Sequence, residues 1–572
     1  MPEFDPTILP GASSEAPHGG RLAAAALREG GVDTIFALCG GHILGLLDGC
    51  VDEGIRVIDV RHEGAASLAA EGWALATGRT GVAAVTAGPG FGNALTGFID
   101  AGVWTLPMVL LAGRTGVAQQ GRGAVMDVDQ RGIVAPVAKW SATCLATPRI
   151  PAVIAEALHR ARAGKPGPVY VEIPQDIFMA SAEPDSPRAA AGVPSVAPAP
   201  AGDPAEIARA LDVLQRAERP LLIAGGGAFW SDAGDALARF AETASIPVAT
   251  TSAARGLLPD SHEWCLGSLV HAGVAALAAD VVVVAGSAFN ANMAFGQPPL
   301  IGPAVTVVQI DIRPEAIGGN RAADIGIAGD AARVLGGLAD GWTKTPDGRD
   351  AWLAQARELA GHGLAAWDAQ IDGYTGPGIH CGAVARTTAR VLRETCGGDV
   401  TFVADGGDAL SWGLAYGYAE GPGRMMTTTT ALGTLGVGMP FAIGAAAARP
   451  GEPVVLLTGD GSFGLTAMEV DTAARHGLPV IAIVSNNGSW GDVVHEQRAW
   501  YGRETASALR GARYDVLGEA LGARGWLVES FEAFEPALRE ALASGGPCVI
   551  DVRTDPEILS DLLRNLSSMN LM

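Results

Sequence analysis

At 572 residues the chain has room for about three or four domains of ~150 residues, each large enough to bury a core. Its net charge of −22 repels phosphate backbones and anionic lipid, which argues against nucleic acid or a membrane surface as partner. Hydrophobic residues make up 48% and charged residues only 17%, so much of the chain must lie in interiors or subunit interfaces.

The chain opens on Met1-Pro2-Glu3-Phe4-Asp5, acidic and broken by proline, unlike a signal peptide, and residues 1–19 read as an N-terminal extension. Residues 20–185 are the first expected domain. It carries Gly40-Gly41-His42, a strand at Val57 to Val60, then Arg61-His62-Glu63 and an Ala-rich helix from Gly64 to Thr77. A strand at Val82 to Thr86, the turn Gly88-Pro89-Gly90, a helix containing Asn93 and a strand at Met108 to Ala112 follow. The helix dipole alone favours an acid such as Glu63 in a first turn, so Glu63 in isolation marks no site.

Residues 186–203 are rich in Ala and Pro and read as a semi-extended linker. The middle segment, 204–345, has an apolar strand at Pro220 to Ala224 before Gly225-Gly226-Gly227, and further strands at Val281 to Ala285 and Val305 to Asp311. Such a glycine turn fits either a nucleotide site or the packing of a Rossmann-like layer. In the first case Gly225 and Gly226 approach the ligand, Asp311 and Ile312 meet its ribose, and Asp324-Ile325 frame an adenine. A helical stretch within 346–377 then leads to a second break at Asp372-Gly373-Tyr374-Thr375-Gly376-Pro377.

The third segment, 378–555, holds the most informative pattern. Pro453 to Thr458 reads as a buried parallel strand ending at Gly459-Asp460-Gly461-Ser462-Phe463, with a helix expected from Gly464 to His476. A second strand, Val480 to Val484, leads to Asn486-Asn487, and Asn487 stands 27 positions after Asp460. One carboxylate, one amide oxygen and a backbone carbonyl suit Mg²⁺ or Ca²⁺, which prefer hard oxygen ligands and share them with phosphates. Glycines let backbone amides approach the anion such a metal carries. A lone Gly-Asp-Gly is usually a turn; strand, Gly-Asp-Gly, helix, strand and Asn-Asn together are far more specific. The last residues, 556–572, place Ile558, Leu559, Leu562, Leu563 and Leu566 at helical spacing, either as plain packing or as a lid.

All three segments alternate apolar strands with helix-length runs, which predicts an α/β protein of three doubly wound parallel-sheet domains. The seven cysteines are scattered, odd in number and without a Cys-x-x-Cys pair, as expected of buried thiols in a reducing cytoplasm. No run of about 20 residues is apolar without Gly, Pro or charge, so no transmembrane helix is expected.

The pattern from Gly459 to Asn487 resembles the signature of thiamine diphosphate (ThDP) enzymes. With Glu63 opening a helix and Gly88-Pro89-Gly90 one strand later, the resemblance is to the acetolactate synthase superfamily and runs from about Gly20 to Asp555. It implies that the first and third segments are structural cousins, binding the pyrimidine and the diphosphate. It implies a buried Glu63 that hydrogen-bonds the aminopyrimidine ring, with Gly88 and Asn93 nearby. In Ala431-Leu432-Gly433-Thr434-Leu435-Gly436, Leu435 matches the residue wedged between the two cofactor rings and the Gly433 carbonyl matches the acceptor for the pyrimidine amine. Gly406, Gly407 and Asp408 match residues at the diphosphate, as do Gly459, Gly461, Ser462, Trp490 and Gly491; Asp460, Asn487 and the Ser489 carbonyl match the Mg²⁺ ligands. The family builds each site from two chains, so a homodimer at minimum, and a homotetramer by resemblance, is expected. In CoA-handling members the middle domain holds ADP, and in acetolactate synthases it helps hold FAD.

Acetolactate synthases follow Asn-Asn with a stretch whose tryptophan helps select the second keto acid. Here Glu496 stands at that place, within Gly491-Asp492-Val493-Val494-His495-Glu496-Gln497. A carboxylate there opposes a keto-acid carboxylate by like charge but can take a proton from a hydroxyl. With Gly40-Gly41-His42 and Trp490, this is more similar to the 2-hydroxyacyl-CoA lyases, whose acyl-CoA substrate is cleaved to formyl-CoA and an aldehyde or ketone. That resemblance makes Glu496 the base and His42 a polar partner for the hydroxyl. The plainer readings are a surface glutamate and a loop histidine satisfying a backbone carbonyl. An acetolactate-synthase-like carboligase, a 2-keto-acid decarboxylase, or a protein that only binds nucleotides are the alternatives.

Overall fold

The computed structural model describes residues 17–181, 198–344, 349–427 and 432–568. Most of the expected N-terminal extension and of the Ala/Pro-rich linker, with Ala431 and the last four residues of the tail, lies outside them. The chain divides into two compact units, residues 1–198 with 443–448, and residues 199–442 with 449–572.

The first unit is built on a parallel sheet of β1 (Thr34–Ala37), β2 (Arg56–Asp59), β3 (Gly81–Val85), β4 (Met108–Arg114), β5 (Trp140–Thr143) and β6 (Pro168–Pro174), in the order β2-β1-β3-β4-β6-β5. Its central strands are buried along almost their whole length, as a parallel sheet covered on both faces requires. Helices α1 (Glu63–Thr77) and α2 (Pro89–Trp104) pack on one another beside it.

The second unit holds two sheets. The middle one comprises β7 (Pro220–Ala224), β8 (Val248–Thr250), β9 (Cys265–Ser268), β10 (Val281–Ala285), β11 (Thr306–Asp311) and β12 (Ile325–Ala328), in the order β12-β11-β10-β7-β8-β9, a doubly wound arrangement. The last comprises β13 (Thr401–Asp405), β14 (Met425–Thr427), β15 (Val454–Gly459), β16 (Val480–Asn486), β17 (Arg524–Val528) and β18 (Cys548–Arg553). Its order, β14-β13-β15-β16-β18-β17, repeats that of the first sheet strand for strand.

Between the two lies α3 (Arg349–Asp372), the helical stretch expected before the second break. It is a packed connector: Trp352, Leu353 and Ala356 enter the core of the middle sheet, and Trp367 and Ile371 enter the core of the last. The elements that matter for the site follow: α4 (Cys381–Cys396), α5 (Asp408–Tyr416), α6 (Asp460–Thr466), α7 (Glu469–Arg475), α8 (Gly491–Tyr501) and α9 (Asp561–Ser568). The single helix expected from Gly464 to His476 is thus two, the first opening at Asp460. The break falls where Thr466 donates its hydroxyl to the Gly436 carbonyl and Glu469 turns inward to accept from Thr472. Among the described residues no helix is long and apolar enough to cross a membrane.

Candidate active site

In the last sheet, β13 lies between β14 and β15, so the chain leaves it toward one edge and returns on its other side. At such a switch point the loops diverge and leave a crevice at the strand ends. The register sets Asp405 beside Thr458, and Gly459 beside Ser485, so three strand ends deliver their loops to one place. Of the residues expected to hold the cofactor, Gly406, Gly407, Asp408, Leu435, Gly459, Asp460, Gly461, Ser462, Asn487, Ser489, Trp490 and Gly491 line a single cavity. Gly433, two residues before Leu435, is exposed and outside that lining.

Asp405, which sequence reasoning passed over, organises the crevice. Its Oδ2 accepts from Ser462 Oγ at 2.6 Å and from the Gly438 amide at 2.9 Å, and its Oδ1 accepts from the Gly406 amide. Ser462 Oγ in turn accepts from the Gly436 amide at 2.8 Å, so one buried carboxylate ties β13, the 436–438 loop and α6 together. Burial pushes Asp405 up and these hydrogen bonds pull it back. Gly461 must be glycine: a Cβ there would lie 2.6 Å from the Trp490 ring. Gly406 has φ +102°, which only glycine adopts without strain.

Asp460, at 2% exposure, accepts from the Gly488 amide at 3.0 Å, which draws the 486–489 loop over it. Asn487 Oδ1 accepts from the Ser489 amide at 3.0 Å and from Ser489 Oγ at 3.1 Å. Burial pushes Asp460 up to about 6, and the one charged neighbour that acts on it, Asp551, pushes the same way. Among the described residues no Lys or Arg lines the cavity. A buried carboxylate without a cationic partner, beside an amide oxygen and a backbone carbonyl, fits a hard divalent cation. Among the described residues no group of three or more His, Cys, Asp or Glu could hold a metal, so a cation here needs these mixed oxygens and others brought by its anion.

In the first unit, Glu63 is the first residue of α1. His62 caps that helix, its Nδ1 accepting from the Gly64 amide at 3.1 Å. Glu63 is 8% exposed, and its Oε2 accepts from Asn93 Nδ2 at 2.9 Å, so Asn93 orients the acid. A Cβ on Gly90 would stand 3.3 Å from Glu63 Oε1, so the bare turn leaves that oxygen its room. The Gly88 amide donates to Gln130 Oε1 at 2.9 Å. His42 Nδ1 lies 3.0 Å from Thr86 Oγ1, a side-chain hydroxyl where the plainer reading had a backbone carbonyl. Burial lowers the pKa of His42, which keeps the ring neutral and able to meet a polar hydrogen.

Glu496 is part-exposed on α8 and is not among the lining residues. Asp492, one turn before it, is, and the helical i, i+4 spacing was the signal that could have found it. Thr554 and Asp555, also unexpected, line the cavity too, with Ile558 from the stretch read as packing or a lid. That stretch is pinned by Asp408, whose Oδ1 accepts from the Ser560 amide at 2.7 Å and whose Oδ2 accepts from Trp412 Nε1 at 2.8 Å. His495 Nε2 lies 3.1 Å from the Pro556 carbonyl oxygen, and Arg498 pairs with Glu557, so α8 holds the same stretch from its other side.

The middle sheet shows what its glycines pack against. A Cβ on Gly225 would meet Ser287 at 2.5 Å, and one on Gly227 would meet Gly286 at 2.8 Å. Asp324 Oδ2 accepts from the Val307 amide at 2.8 Å, and Asp311 Oδ1 from the Arg313 amide at 2.9 Å. Gly226, Ile312 and Ile325 complete the set expected at a nucleotide. Close layer packing accounts for Gly225 and Gly227.

Known proteins match this arrangement domain by domain. The model of the N-terminal TPP binding domain of thiamine pyrophosphate enzymes matches residues 17–133, that of the central domain 207–338, and that of the C-terminal TPP binding domain 405–552. An acetolactate synthase large subunit of Mycobacterium tuberculosis is 35% identical over 558 residues, covering 97% of this chain and 99% of its own. The chain belongs to the thiamine pyrophosphate enzymes, in the acetolactate synthase family. Thiamine pyrophosphate is ThDP under its other name, and the matched C-terminal domain contains most of the cavity above. A probable acetolactate synthase large subunit of Methanocaldococcus jannaschii is 30% identical over 550 residues, 94% of this chain and 92% of its own. The 2-hydroxyacyl-CoA lyase 2 of Bos taurus is 32% identical over 587 residues, 94% of this chain and 90% of its own.

Proposed function

We propose that this ThDP enzyme is a carbon–carbon lyase that cleaves a 2-hydroxyacyl-CoA to formyl-CoA and an aldehyde or ketone. The observation that carries the reading is the pair of carboxyl groups on α8, Asp492 in the cavity wall and Glu496 one turn further. A carboxylate at Glu496 opposes a keto-acid carboxylate by like charge, whereas a carboxylate base suits a substrate hydroxyl. The likeness to a 2-hydroxyacyl-CoA lyase supports it, and the acetolactate synthases among the relatives support a carboligase as second reading.

ThDP, when bound, supplies a carbon nucleophile for the thioester carbonyl. Asp460, Asn487 and the Ser489 carbonyl would hold Mg²⁺, and the amides of the 406–408 turn and of Gly461 would meet the diphosphate. Glu63, held by Asn93, is the acid for the aminopyrimidine. Leu435 supplies the apolar surface between the rings. Glu496 takes the proton of the 2-hydroxyl, with His42 as its polar neighbour; the C1–C2 bond breaks with its electron pair left on C1, and a proton returned to C1 completes formyl-CoA. Since the N-terminal and C-terminal domains each carry half of the machinery, a site is proposed to form between two chains, in a homodimer or a homotetramer.

Incubation with ThDP, Mg²⁺ and a panel of 2-hydroxyacyl-CoAs, and separately with pyruvate, tests the reading. Formyl-CoA is the expected product; acetolactate from pyruvate, with no thioester cleaved, would replace it by the carboligase. Glu496→Gln is expected to bind cofactor and thioester while cleavage falls by ~10²-fold or more, the usual worth of a general base. Keto-acid decarboxylation, which takes no hydroxyl proton, should survive that substitution, and equal loss of both would make Glu496 structural. The middle domain is proposed to hold ADP rather than FAD because cleavage has no redox step. A yellow preparation with flavin absorbance would overturn that.

A further inference from the structure

Asp492 is the one carboxyl group in the cavity wall whose place no diphosphate, metal or packing role explains. Its Oδ1 is sealed from solvent and has no hydrogen-bond partner, while the Asp408 amide donates to the carboxyl. The side chain is pressed against the bare Cα of Gly407, where any Cβ would overlap it. A sealed carboxylate oxygen without a donor is costly, and a carboxylic acid carrying a proton is not.

Its charged neighbours add to this, against the pull of the Asp408 amide. Asp408 on α5 and Glu496 on its own helix are both acids, and both raise it. Asp460 and Asp555 line the same cavity, as does Cys381 at the start of α4, whose thiol is itself pushed up by burial and by Asp408 and Asp492. No cation is among the lining residues. Burial, Asp408 and Glu496 push Asp492 up to about 7.

We propose that Asp492 is a positioning residue for Glu496: one helical turn before it, with its side chain against Gly407 and one oxygen sealed, Asp492 holds a proton in the cavity wall, so that the proton leaving the substrate goes to Glu496. This rests on the lyase reading for its purpose, but not for its existence. Two acids whose surroundings differ can divide the roles of proton holder and base. The transfer balances within the pair and its substrate. Glu496 gains the hydroxyl proton and gives one back when C1 is protonated, and Asp492 keeps its own throughout.

The test is an infrared pH titration of the holoenzyme with ThDP and Mg²⁺, following the carboxylic acid C=O stretch that Asp492→Asn removes. That band is expected to titrate near neutrality in the wild type. In Glu496→Gln its midpoint should move to lower pH, because a like charge beside it is gone. A midpoint that Glu496→Gln leaves in place, or no band lost in Asp492→Asn, overturns the proposal. Formyl-CoA production has a second signature. The wild-type rate should change near neutrality as Asp492 loses its proton, and Asp492→Asn, which has none to lose, should flatten that change; an unchanged profile also overturns the proposal. Coupled titration without thioester cleavage would leave the pair standing and remove the lyase, whereas cleavage without coupling would do the reverse.

Discussion

Asp460→Ala is expected to abolish Mg²⁺-dependent ThDP binding. The carboxylate is the only charged group of the proposed ligand set and is buried without a counter-cation, so nothing nearby replaces it. Loss of an outer-shell partner already costs ~10–100-fold in metal affinity, and loss of a ligand should cost more. Titration of the apoprotein with ThDP at fixed Mg²⁺, followed by calorimetry, measures it. Asp460 also accepts from the Gly488 amide, so Asp460→Asn, which keeps an acceptor and removes the charge, separates ligand loss from loop loss. Undiminished Mg²⁺-dependent binding in both variants would remove Asp460 from the metal site. The metal-free protein carries a matching pH signature. Burial raises this acid to about 6, so the folded chain prefers it protonated. Its contribution to folding is full below the ordinary range near ~4 and is lost as pH rises through about 6. Asp460→Asn should therefore melt higher than the wild-type apoprotein at pH 8 and no higher at pH 4.

Glu63→Gln is expected to leave cofactor affinity nearly intact and to lower turnover by ~10²–10⁴-fold, the range for a positioned acid. The geometry makes the variant clean. The acid is buried at the head of α1, its Oε2 receives the Asn93 amide, and a glutamine oxygen can receive the same bond. What the amide cannot do is exchange a proton with the aminopyrimidine. Turnover, and solvent-deuterium exchange of the cofactor's reactive proton, should fall together while ThDP affinity stays. Full activity in Glu63→Gln would take the acid role from this residue. Asn93→Ala is a gentler form of the same experiment, since it frees Glu63 to turn without removing it.

Much of this was legible in the chain itself. Strands such as Pro220–Ala224 and Val281–Ala285 stand where their unbroken apolar runs put them, because a strand buried on both faces admits little else. Asp460, Asn487 and Glu63 could be singled out because local order alone, a strand end followed by glycines or a helix start, determines where such side chains emerge. Their residue types also declare oxygen-ligand and acid chemistry. The ThDP family and the three parallel sheets followed from those local facts.

Tertiary structure decided the rest, and in each case the reason is that the partners are far apart in sequence. Asp405 looks like an ordinary strand-end acid until Ser462 and Gly438 converge on it. Asp408 reads as a phosphate-loop residue, but its side chain is spent on Ser560 and Trp412. The last sheet repeats the strand order of the first although no sequence repeat announces it, since topology depends on the alternation of elements and not on their residues. Asp492 carries the same lesson at the site. On paper it is one more acid at the start of a helix, and only the packing of Gly407, the closeness of Asp408 and the sealing of its Oδ1 turn it into a buried acid. Sequence determines which groups a local turn can present, and folding over long distances determines which of them lose their water.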